Sequence, residues 1–85
     1  MRRYQWGLMM LLEQAKKAAR EAAMLAESLW EDELARVYGE KAVEARYDKK
    51  RNAATPRLKT YNEARCGALQ AWHMLGKAIR EEWAA

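Results

Sequence analysis

Eighty-five residues, 51% hydrophobic and 33% charged, make one small domain over residues 1–85 with room for a single modest core, and exclude a disordered chain. The net charge of +4 is unevenly spread: residues 1–27 carry +2, 28–45 carry −3, 46–60 carry +5, and 61–85 are neutral. That pattern points to an anionic partner at one end, or to pairing of acidic with basic faces. The lone cysteine excludes an internal disulfide framework and fits a reducing, cytoplasmic setting.

Seventeen alanines against four glycines and one proline favour helix throughout, because alanine loses no side-chain entropy there. The chain opens with Arg2 and Arg3 before a seven-residue apolar run, Trp6–Leu12. Glu13, Lys16 and Lys17 follow where a leader peptide has its small-residue cleavage site, and a membrane span needs ~20 residues. The segment is read as core, with a membrane-surface role as the minor reading.

Leu8, Leu11, Ala15, Ala18, Ala22, Leu25 and Leu29 recur at alternating spacings of three and four, as a helix-packing seam requires. The register fails after Leu29 and resumes one step over at Trp30, Leu34, Val37, Tyr38, Ala42 and Ala45. A straight helix drifts relative to a heptad repeat, so a stripe slides after several turns. Alternatively the helix breaks near Ser28, where Ser28-x-x-Glu31 forms a capping box and Glu31-Asp32-Glu33 suits a helix start. An unbroken helix over 3–51 is about 73 Å long against about 42 Å for the helix after Pro56, leaving an overhang for another subunit to cover. Three helices close on themselves, and that arrangement is the preferred expectation.

After Asn52-Ala53-Ala54, Thr55 suits an N-cap and Pro56 the first helical position. Leu58, Tyr61, Ala68, Trp72, Leu75, Ile79 and Trp83 form the expected buried stripe of the last helix, with Arg65 laying its stem along it. The fold class is therefore all-α: a small bundle of three helices at about 3–27, 29–51 and 56–83, or a long helical hairpin broken at 52–56.

Glu33-Leu34-Ala35-Arg36-Val37-Tyr38-Gly39 resembles the first helix and turn of helix-turn-helix proteins, in which a Leu-Ala pair precedes a turn glycine. The resemblance covers less than a quarter of the chain and has Glu40 where the family has an apolar residue. It implies a recognition helix at about 42–51 that brings Arg46, Tyr47, Lys49, Lys50 and Arg51 toward DNA. Without any such motif, the basic corner of Arg46, Lys49, Lys50, Arg51, Arg57 and Lys59 suits phosphate contacts. Tyr47 and Tyr61 flank it and suit base stacking. The bland alternative is a solvated helix end that complements the helix dipole.

Cys66 and His73 are seven apart on one helical face, too few ligands for zinc and without a glycine-rich loop for an oxyanion. They are read as a buried thiol beside a partly buried imidazole. No di-iron signature or nucleotide fingerprint is present, so no enzyme activity, cofactor or metal is expected. Trp30 and Trp72 fall on apolar stripes and are assigned to the core. Trp6 and Trp83, near the chain ends, are the candidate contacts for a protein partner or a second copy. The texture is that of small basic accessory proteins of phages and mobile elements. The expectation is a non-enzymatic interaction module that binds a protein partner or itself, with nucleic-acid binding through Arg46–Lys59 as the alternative.

Overall fold

The computed structural model describes residues 3–84, with side chains from residue 5 onward, so Arg2 and the side chain of Arg3 lie outside the described residues. The chain is an all-α hairpin. Helix α1 spans Arg3–Tyr38, a short 3-10 turn covers Gly39–Lys41, helix α2 spans Ala42–Arg46, and helix α3 spans Pro56–Ala84.

Of the two arrangements that the sequence allows, the hairpin is the one formed. No break occurs at Ser28, which is an exposed position inside α1. The break falls at Gly39, whose φ of +57° lies in the left-handed region that glycine enters without steric cost. This also settles the mismatch in length. The 36 residues of α1 account for the 54 Å long axis of the molecule, and the 29 of α3 cover about 44 Å of it. The remaining turns of α1, at the closed end, are covered by α2 and the loop 47–55. Arg46 reaches back to Glu27 and Glu31, so α2 runs back along α1. The helix expected over 29–51 therefore ends at Arg46.

The apolar core sits at this closed end. Trp30, Leu34, Ala45 and Leu58 are buried together, with Val37, Tyr38, Ala42 and Tyr61 packed against them. Leu58 is fully buried, worth about 1.5–3 kcal/mol relative to exposure. Thr55 caps α3 as its sequence implies: its Oγ1 accepts the Leu58 N–H at 3.2 Å, and Pro56 opens the helix.

Farther from the turn, α1 faces α3 through Met9, Leu12, Lys16, Ala19, Ala23 and Ala26, all buried or half-buried. Each stands one residue after a member of the expected seam. The stripe that resumes at Trp30 thus continues backward through the whole of α1. The break in register marks two faces of one helix.

Candidate interaction surfaces

A one-residue offset on an α-helix is a rotation of about 100°. The expected seam from Leu8 to Leu29 is therefore turned out of the hairpin and lies exposed, with Leu11 65% and Leu25 64% accessible. Helix α3 repeats the pattern. Its inward residues include Arg65, Ala68, Trp72, Leu75 and Ile79, and one position before each stand Ala64, Gly67, Ala71, Met74 and Ala78. Ala64, Gly67 and Met74 are exposed, while Ala71 and Ala78 are half-buried.

In an antiparallel pair the two helices turn in opposite senses about a common viewing direction, so equal offsets from the contact line fall on the same side. The leucine–alanine seam of α1 and the small-residue stripe of α3 therefore share one broad apolar face. From Leu8 to Leu29 the seam itself contains no charged residue, and Glu21 is the charge beside it.

Residues one position after the contact line make the opposite face, which is mixed: Glu13, Lys17, Arg20 and Glu27 stand there beside the exposed Trp6, Met10 and Met24. There Glu13, Lys16, Lys17, Arg20 and Trp72 line a groove of about 340 Å³, and Lys16, Trp72, His73, Gly76 and Arg80 line a smaller one of about 140 Å³. Side chains of both helices meet in these grooves, as equal offsets on an antiparallel pair require. Gly76 makes room there: a Cβ would lie 3.4 Å from the Arg80 guanidinium and 3.8 Å from Lys16 Cε.

The basic corner is a pinned loop. Asp48 Oδ1 accepts the N–H groups of Lys50 at 2.9 Å and Arg51 at 3.3 Å. Asn52 Nδ2 donates to the Arg46 carbonyl at 3.2 Å, Trp30 Nε1 to the Asn52 carbonyl at 3.0 Å, and Tyr38 Oη to the Arg51 carbonyl at 2.6 Å. Arg46 and Arg65 place their guanidinium carbons 5.2 and 4.1 Å from the centroid of the Trp30 ring. Arg65 also donates to Asn62 Oδ1 at 2.8 Å, while its buried Nε has no hydrogen-bond partner.

Of the corner cations, Arg46 is engaged in this packing and in ion pairs with Glu27 and Glu31, and its bond to Glu31 raises its pKa. Lys49, Lys50, Arg51, Arg57 and Lys59 are exposed, with Arg51 3.6 Å from Asp48. Tyr47 is 80% accessible, whereas Tyr61 packs against the core. The segment 42–51 supplies only the five residues of α2 as helix, because Asp48 and Asn52 draw the following backbone into turns.

Trp30 is buried and Trp72 half-buried, as their stripes imply. Trp83 is 62% exposed, not buried, because it sits at the open end of the hairpin. There it shares a groove of about 230 Å³ with Trp6, Met9 and Met10. Cys66 is exposed rather than buried, since it stands one position past Arg65 on the mixed face, and His73 is exposed too.

Glu33 is a buried carboxylate that sequence reasoning took for helix-start charge. It accepts hydrogen bonds from Arg36 Nε at 3.0 and 3.1 Å, and this contact holds its pKa below the ordinary value. Its position on the inward stripe was the available signal. Among the described residues, no group of three His, Cys, Asp or Glu side chains could hold a metal, and no helix is long and apolar enough to cross a membrane. Comparison with protein-family models, curated proteins and solved structures gives no match.

Proposed function

We propose that this protein is a non-enzymatic helical interaction module that works by self-assembly through the uncovered apolar face of its hairpin. The observation that carries this reading is the exposed seam: leucines and alanines at heptad spacing, all exposed, with Leu11 and Leu25 about two-thirds accessible. Contiguous exposed apolar surface of this kind marks interaction sites. The alanines at its centre allow close helix approach, and the leucines at its two ends supply most of the transfer free energy. Trp6 stands one position after the contact line, so the groove it shares with Trp83 is a separate exposed surface at the open end, on the other side of the hairpin from this face.

Sedimentation equilibrium at tens of micromolar tests the reading. The wild-type chain is expected to run as a dimer or larger, and Leu11→Glu and Leu25→Glu variants as monomers of unchanged helicity by circular dichroism. A single 9.9 kDa wild-type species at every concentration would end the self-assembly reading.

A second reading, binding of nucleic acid at the corner, draws on the pinned loop that presents Lys49, Lys50 and Arg51 to solvent with Arg57 and Lys59 beside them. Each phosphate neutralised contributes about −0.9 to the slope of log affinity against log salt on duplex DNA. Joint replacement of Lys49, Lys50 and Arg51 by Gln should then flatten a gel-shift salt slope by about two to three. Absence of any salt-dependent shift rejects this reading.

A further inference from the structure

Resting on the self-assembly just proposed, we infer that a second copy docks on the apolar face with its turn at the opposite end. The product is a four-helix bundle in which each α1 lies antiparallel to the other α1, and each α3 to the other α3. The chain exposes 6568 Å², whereas a folded monomer of 9.9 kDa exposes about 5,200 Å². The surplus, roughly 1,400 Å², falls in the range that one protomer of an obligate homodimer hides.

On α1 the exposed seam lies about 100° from the line that faces α3, close to the right angle between neighbours in a square four-helix section. The matching stripe of α3 lies on the same side, so the hairpin has the shape of half a bundle. A twofold interface sets a surface against itself, and a face nearly free of charge meets its own copy without repulsion.

Two twofold arrangements close such a bundle. With the turns at one end, α1 covers the partner's α3, and two closed ends, each of net charge +2 over residues 28–60 with Lys49, Lys50, Arg51, Arg57 and Lys59 exposed, stand side by side. With the turns at opposite ends, those charges are separated by the length of the molecule, 54 Å along its long axis and far beyond a Debye length of about 10 Å. The α1 seam also reads alike in both directions: two leucines, three alanines, two leucines, centred on Ala18. Reversal sets Leu8 near Leu29, Leu11 near Leu25, and Ala18 on the axis. Lys16 packs at Gly76, so Ala18 stands level with Met74 on α3, and Met74 falls near the axis too.

Disulfide trapping tests the arrangement. In a Cys66→Ser background, Ala18→Cys and Met74→Cys are prepared separately, oxidised alone and mixed, and run on non-reducing gels beside sedimentation of the unoxidised chains. Each variant alone is expected to give a covalent dimer, because residues on the axis meet their own copies within disulfide reach. Linkage in the mixture alone means that α1 covers α3 of the other copy, which overturns the inference and leaves self-assembly standing. A sedimenting dimer with no linkage at either position shows that another surface joins the copies, with the same consequence. A wild-type monomer overturns both.

Discussion

Gly39→Ala separates two accounts of the end of α1 by the sign of its effect. If residue 39 were an ordinary helix-interior glycine, alanine would stabilise the chain by about 1 kcal/mol. At φ +57° the added Cβ instead forces the left-handed conformation on an L-residue, at about 1–2 kcal/mol. A Cβ built there meets no atom within 4 Å, so no packing term adds to that cost or offsets it. Alanine's stiffer unfolded chain returns about 0.4–1 kcal/mol. The expected outcome is a net loss of about 1 kcal/mol, or roughly 4–8 °C in Tm for a chain of this size. Gly39→Asn should lose less, since asparagine tolerates this region better. Urea denaturation followed by circular dichroism, at fixed protein concentration, measures the difference. An alanine variant as stable as the wild type, or more stable, would refute a chain reversal at Gly39.

Trp30→Phe removes the donor to the Asn52 carbonyl and weakens the stacking of two guanidinium groups, so a loss of about 1–3 kcal/mol is expected in the same assay. A loss below about 0.5 kcal/mol would show that the indole does not anchor the loop. Glu33 has a folded-state pKa below its ordinary 4.5, so its contribution to stability is present above that pH and is lost as pH falls through the lower folded value. Glu33→Gln should therefore be less stable than wild type at pH 7, with the gap closing in acid denaturation series below pH 4.5; a constant gap would contradict the sign. The exposed Cys66 thiol should react with a disulfide reagent in native buffer without prior unfolding, and protection until denaturation would refute its exposure.

Helix α3 was legible because its determinants are local. Thr55, Pro56 and the 3.6-residue periodicity from Leu58 act within a turn or two of the residues that they order. The phase of α1 was not. Two apolar stripes run side by side on that helix, and the more hydrophobic one, with four leucines, is the one left exposed. The stripe used in folding holds Lys16, three alanines and Glu33, so it looks weaker by composition. It is selected by Trp30, whose ring has a partner only where Leu58, Arg65 and Asn52 converge. That convergence joins residues more than twenty apart in sequence. The corner was legible as a run of charge, but not its division of labour: Arg46 differs from Lys49 through Glu27, Glu31 and the Trp30 ring, which the fold-back of α2 brings within reach.

The gathering of large buried side chains at the closed end gives the hairpin an unzipping direction. Opening is least costly where Trp6 and Trp83 sit half in water and alanines fill most of the helix contact, and most costly around Trp30 and Leu58. Backbone amides should therefore exchange with solvent deuterium along a gradient that follows distance from the turn on both helices, not position in the chain. Gln14 and Lys77 would exchange early together, and Leu34 and Tyr61 late together. A second copy laid across the apolar face would flatten that gradient most at the open ends, where the isolated hairpin has least to hold it closed.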